Sequence, residues 1–204
     1  MKMNLPNKIT VVRIILAILI MVILMLPWSS WVANWPIYTD VFNTGKDFSP
    51  ALDLKYLIAG VLFLIASITD KLDGYIARSQ NMVTDLGKML DAIADKILVN
   101  GVLIILAYDH FIPLIVPVVI ITRDIITDTC KMVCGNKGKV VAASWTGKIK
   151  TLFMMVGITF TLFGNLPFEL IGFPFNDLCL YIAVILSVVS GCQYYFGTMK
   201  LMKD

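Results

Sequence analysis

Apolar residues run along this chain in blocks separated by short polar segments. Windows at 9–27, 54–69, 88–107, 111–130, 151–169 and 178–197 each approach the roughly 20 residues that a helix needs to cross a bilayer. They predict six helices and an all-α integral membrane protein with six transmembrane spans. The first block, Ile9 to Leu26, is longer than the roughly 7–15 apolar residues of a cleaved signal, and no Ala-x-Ala-like site follows it. It is expected to remain as the first helix. No long linker, low-complexity run or internal repeat interrupts the pattern, so residues 1–204 are expected to form a single membrane domain.

Composition strengthens this picture. The chain is 58% hydrophobic and 15% charged, against roughly 45–50% apolar for an ordinary soluble domain, which excludes a normal water-soluble globule. The net charge of +3 says little, but the charges are unevenly placed. With the N-terminus inside, the inner segments and helix ends hold every Lys and Arg, Arg13 among them, except Lys46 and Lys55. By the positive-inside rule, both termini face the cytoplasm of a multi-pass cell-membrane protein. Trp28, Trp31, Trp35 and Tyr38 suit an outer membrane interface. Cys130, Cys134, Cys179 and Cys192 have no Cys-x2-Cys spacing and a single His for company, so neither zinc nor a disulfide framework is expected. No nucleic-acid partner is expected either.

Acidic residues change the picture most. An Asp at a helix centre costs about 2.5–3.5 kcal/mol on insertion scales, so a cluster of them calls for compensation. The stretch DKLDGYIARSQNMVTDLGKMLDAIAD places Asp70, Asp73, Asp85, Asp91 and Asp95 at the inner ends of helices two and three. Asp70 and Asp73 lie about 60° apart on one helical face, and Asp91 and Asp95 about 40° apart on the next. A short connection would make the two helices an antiparallel pair, bringing four carboxylates into one cytoplasm-facing polar cavity. Like charges so close need cations among them, and all-oxygen ligands suit magnesium, manganese or calcium. Gly74, Ala77 and Gly87 would allow close approach, and Arg78 could hold a phosphate oxygen. Solvated helix ends and ordinary helix packing account for any one of these residues, but poorly for the set.

Asp70, Asp73, Gly74, Ala77, Arg78, Gly87, Asp91 and Asp95 match the pattern D-x2-D-G-x2-A-R-x8-G-x3-D-x3-D without a gap. It resembles the signature of the CDP-alcohol phosphotransferase family. The resemblance implies a six-helix membrane fold, a homodimer and a site holding two divalent ions, Mg2+ or Mn2+, at the cytoplasmic side. Asp70, Asp73 and Asp91 would be metal ligands, and Asp95 a ligand and the general base. Asp70, Asp73, Gly74, Ala77, Arg78 and Gly87 would line the CDP site. The stretches NLPNKITVVR and SWTGKIKT resemble the family branch that transfers a phosphatidyl group from CDP-diacylglycerol to glycerol 3-phosphate. Arg123-Asp124 stands where members of that branch often carry Arg-Glu.

A phosphorylated acceptor needs a second cationic site, for which Arg123, Lys139, Lys148 and Lys150 are the candidates. Arg123 lies in an apolar run, where a charge needs a partner. Asn7 and Thr10, one turn apart after Pro6, suit either a helix cap or contact with the nucleotide. His110 reads as an interface residue. Inositol phosphate and serine remain alternative acceptors, and the basic residues favour a phosphorylated one. A divalent-cation transporter is a different class, disfavoured because the outer halves of helices two and three lack matching acidic residues and no inverted repeat is present.

Overall fold

Among the described residues the chain is all-helical: α1 (Leu5–Met25), α2 (Leu54–Ser79), α3 (Asp85–Tyr108), α4 (Ile115–Asn136), α5 (Trp145–Leu162) and α6 (Phe175–Lys203), with a 3-10 turn at Phe168–Ile171. The computed structural model describes residues 5–26, 54–79, 84–136 and 144–203.

Each apolar window contains a helix, but the ends move for local reasons. Helix α2 runs past the end of its window through the polar residues to Ser79. Helix α3 begins where Thr84 caps it, its Oγ1 accepting from the Gly87 N–H at 3.0 Å. Ser144 does the same for α5, accepting from Gly147 N–H at 3.2 Å. The fifth window was expected to stay helical through residue 169, but α5 ends at Leu162. Gly164 and Asn165 adopt φ values of 63° and 57°, and this left-handed pair stops the helix. Asn165 then organises the turn: its Nδ2 donates to Glu169 Oε2 at 3.0 Å and to the Phe173 carbonyl at 2.8 Å. Its Oδ1 accepts from Asn176 N–H at 3.1 Å, at the start of α6.

The packing corrects one expectation. Helices α2 and α3, expected to meet as an antiparallel pair, are joined mainly through α1, which packs along both of them; among the described residues they touch each other little. Helix α1 is apolar on nearly all sides and therefore can be covered on two. A Cβ on Gly101 of α3 would overlap Met21 of α1, so the glycine permits that approach. Helix α6 plays the matching part in the other half, packing on α4 and α5. Contacts of α3 with α4 and α5, and of α2 with α5, join the halves. The described interior is mostly aliphatic, with Ile20, Leu98, Leu103, Leu106, Ile120, Ile158, Leu162 and Leu180 packed with the rings of Tyr56 and Phe63. At the end of α3 remote from its acidic residues, Tyr56 OH donates to Asp109 Oδ2 at 2.6 Å and ties α2 to α3.

The outer surface is apolar as well. Val61, Leu64, Ile65, Ile68 and Leu72 form an exposed row along α2, and Val12, Ile15, Leu19 and Val22 another along α1. Rows of this kind are unfavourable in water and suited to hydrocarbon. Among the described residues, Asn7–Met25 and Phe175–Leu201 are long and apolar enough to cross a membrane by length and composition. They belong to α1 and α6, the central helix of each half.

Candidate functional site

The acidic stretch comes together around a residue that the sequence pattern had placed only among the inner positive charges. Arg13 of α1 is 1% exposed, and its Nη1 donates to Asp70 Oδ1 at 2.5 Å and to Asp91 Oδ1 at 2.9 Å. Because α1 runs between α2 and α3, its guanidinium can reach a carboxylate from each. Two carboxylate oxygens from different helices thus converge on one positive charge. The donor set is all oxygen and the position favours a cation, so these residues fit a hard divalent ion. Among the described residues no group of three or more metal-ligating side chains is assembled. Of the four carboxylates expected here, Asp70 and Asp91 meet at Arg13, which supplies a compensating charge.

Asp95, one turn further along α3, stands between this pair and a second cluster. It lies within electrostatic reach of Asp91 and Arg13 on one side and of Asp124 and Lys150 on the other. It lines a cavity of about 250 Å³ shared with Lys96, Asn100, Arg123, Asp124, Lys148 and Lys150. That is slightly below the roughly 300–1,000 Å³ of pockets for drug-sized ligands and suits a smaller, polar one. Three of the four residues expected to bind an acceptor phosphate therefore line one cavity with the expected base.

Two of the basic side chains there, Lys150 and Arg123, are held by protein partners. Lys150 is 2% exposed and donates to Asp124 Oδ1 at 2.9 Å. Arg123 Nη1 donates to the same oxygen at 2.9 Å, while its Nε and Nη2 donate to Ser190 Oγ at 3.1 and 2.8 Å. Tyr194 places its ring centroid 5.6 Å from the Arg123 guanidinium carbon. Lys148 is exposed at the rim. Lys96 pairs with Asp128 across α3 and α4 on another wall.

Asn7 and Thr10 are buried. Asn7 does not cap α1, which begins at Leu5. Its Nδ2 donates to Thr84 Oγ1 at 3.2 Å, bracing the residue that caps α3. A Cβ on Gly87 would stand 2.6 Å from Asn7 Oδ1, so this signature glycine makes room for α1. Gly74 lies on α2, half-buried. The side chains of Asp73, Ala77, Arg78 and Asp85 lie outside the described ones, and Lys139 lies outside the described residues.

Sequence reasoning missed the roles of Arg13 and Ser190, and saw Asp124 only as the neighbour of Arg123 in an apolar run where a charge needs a partner. Arg13 carried a usable signal, since a charge within an apolar helix needs a partner, the rule that had singled out Arg123. Ser190 carried none: it is a small residue in an apolar helix, brought to Arg123 by the packing of α6 on α4.

Residues 3–189 match the family model described as CDP-alcohol phosphatidyltransferase. The chain is 41% identical over 200 residues to the CDP-diacylglycerol–glycerol-3-phosphate 3-phosphatidyltransferase of Bacillus subtilis (strain 168), covering 98% of this chain and 97% of that protein. A protein of the same name from Mycoplasma genitalium is 36% identical over 212 residues, covering 99% and 86% of the two chains. Another, from Rickettsia bellii, is 31% identical over 198 residues, covering 97% and 96%.

Proposed function

Because this chain belongs to the CDP-alcohol phosphatidyltransferase family, we propose that it transfers the phosphatidyl group of CDP-diacylglycerol to glycerol 3-phosphate, giving phosphatidylglycerol phosphate and CMP. The observation that carries the reading is the position of Asp95, between the Asp70–Asp91 pair and a small cavity lined by Arg123, Lys148 and Lys150. The relatives with this named activity match nearly the whole chain, including both regions.

In this mechanism the acceptor phosphate lies against Arg123, Lys148 and Lys150, which leaves its terminal hydroxyl near Asp95. A carboxylate within hydrogen-bond reach can act as base. Asp95 removes the hydroxyl proton as that oxygen bonds to the phosphorus carrying the diacylglycerol. The bond from this phosphorus to the oxygen shared with CMP breaks, and CMP leaves with the electron pair. Asp70, Asp73, Asp91 and Asp95 would hold the divalent ions, two Mg2+ or Mn2+. When bound, such ions neutralise the pyrophosphate and stabilise charge on the attacking and departing oxygens. Asn7, Thr10, Gly74, Ala77, Arg78 and Gly87 are assigned to the CDP side, and Lys139 to the acceptor side. Arg13 keeps Asp70 and Asp91 facing each other.

The exposed aliphatic rows support embedding in a membrane. The full reading is a single domain with six spans in the cytoplasmic membrane, both termini and the site facing inward, and a homodimeric assembly. The test is product formation by the purified protein in lipid vesicles. CDP-diacylglycerol with glycerol 3-phosphate and magnesium should give phosphatidylglycerol phosphate and CMP, and chelation should stop both. Offering inositol phosphate or serine in place of glycerol 3-phosphate should give no product; incorporation of either alone would reassign the acceptor. Asp95→Asn should retain CDP-diacylglycerol binding and lose turnover, and near-normal activity would remove Asp95 from the base role.

A further inference from the structure

Resting on the acceptor assignment above, we propose that Asp124 and Ser190 are positioning residues for the acceptor phosphate, presetting Arg123 and Lys150 before the acceptor arrives. A single carboxylate oxygen, Asp124 Oδ1, accepts from both cations at 2.9 Å. Ser190 Oγ accepts two further bonds from Arg123, at 3.1 and 2.8 Å, and itself donates to the Ser187 carbonyl at 3.1 Å. The hydroxyl is thereby oriented with its lone pairs toward the guanidinium.

Donor accounting shows what this arrangement leaves over. A guanidinium has five N–H groups and an ammonium three. Hydrogen bonds to Asp124 and Ser190 engage three on Arg123 and one on Lys150, leaving two on each side chain uncommitted to protein acceptors among the described residues. One carboxylate between two cations also leaves the pair with a net positive charge. Charge and spare donors of that kind match a phosphate oxygen acceptor.

The walls keep the guanidinium in place. A Cβ on Gly191 would stand 3.1 Å from Arg123 Cγ, and one on Gly147 would stand 3.3 Å from its Nη2. Tyr194 lies beside the guanidinium. Arg123 is therefore confined between α5 and α6, while the cavity shared with Asp95 remains for a small ligand. Holding the cations in one geometry before binding lowers the ordering cost of taking up the acceptor, so the benefit should fall on acceptor affinity.

The test is steady-state kinetics on the full chain in lipid vesicles, comparing wild type with Ser190→Ala, Asp124→Asn and Asp124→Glu. Ser190→Ala should raise KM for glycerol 3-phosphate by about tenfold, with kcat and KM for CDP-diacylglycerol changed by less than about twofold. Asp124→Asn should raise the same KM by about a hundredfold, and Asp124→Glu should recover most of the loss. Thermal unfolding checks that each variant is folded; should Asp124→Asn fail to fold, Ser190→Ala carries the test. A fall in kcat with unchanged KM for glycerol 3-phosphate, or an equal rise in both KM values, overturns the proposal. A wild-type protein inactive with glycerol 3-phosphate overturns the functional reading itself, a distinct outcome visible before any variant is made.

Discussion

Replacing Gly87 with alanine should destabilise the protein by about 2 kcal/mol, although alanine is ordinarily the better helix former. Gly87 lies in the first turn of α3, where an added Cβ would stand 2.6 Å from Asn7 Oδ1 and 3.0 Å from Thr84 Oγ1. Asn7 is buried and hydrogen-bonded to Thr84, so moving aside costs that bond, roughly 1 kcal/mol. Moving Thr84 instead weakens the α3 cap, also worth about 1 kcal/mol. Overpacking that shifts backbone adds about 1–3 kcal/mol, and the alanine propensity gain returns at most about 1. For a chain of this length the net loss corresponds to a Tm lower by about 4–8 °C. Circular dichroism during heating in detergent would measure it. Gly197→Ala is the control, because none of the described residues comes within 4 Å of its Cβ position in α6. If Gly87→Ala melts with wild type, α1 does not press on α3 as described. If it keeps its stability but loses CDP-diacylglycerol binding, the glycine makes room for ligand instead.

Arg13→Gln should lower stability by about 1–3 kcal/mol, less than the 3–5 for breaking a fully buried pair, because Asp70 and Asp91 are 34% and 53% exposed and can be resolvated. Thermal unfolding measures the loss, and added magnesium should recover part of it by again placing positive charge between the carboxylates; an unchanged Tm would remove Arg13 from that role. At the turn after α5, Asn165→Gly tolerates the positive φ but loses the side-chain bonds to Glu169, Phe173 and Asn176, whereas Asn165→Ala also meets the left-handed backbone. Alanine should therefore be less stable than glycine by about 1–2 kcal/mol in denaturant or thermal unfolding. Equal stability would mean that the backbone conformation contributes nothing there.

Much of the architecture and chemistry is written in one dimension. Apolar blocks determine helices because every backbone polar group in hydrocarbon must be satisfied within its own segment. The periodic spacing of Asp70, Asp91 and Asp95 announces a polar site because charges within such segments need compensation. Arg123 was legible for the same reason, and Lys150 because a phosphorylated acceptor needs a cationic site. The partner of each charge was not legible, because partnership depends on which helices touch. The insertion of α1 between α2 and α3 gives Asp70 and Asp91 to Arg13, and the packing of α6 on α4 gives Arg123 to Ser190. The early end of α5 follows from Gly164 and Asn165, local residues whose stopping effect was masked by apolar neighbours. Sequence alone therefore determined that there are helices and that charge must be balanced within them, through local hydrogen bonding and the cost of desolvation. Tertiary packing decided which side chains do the balancing, since contacts across tens of residues exist only once the helices are side by side.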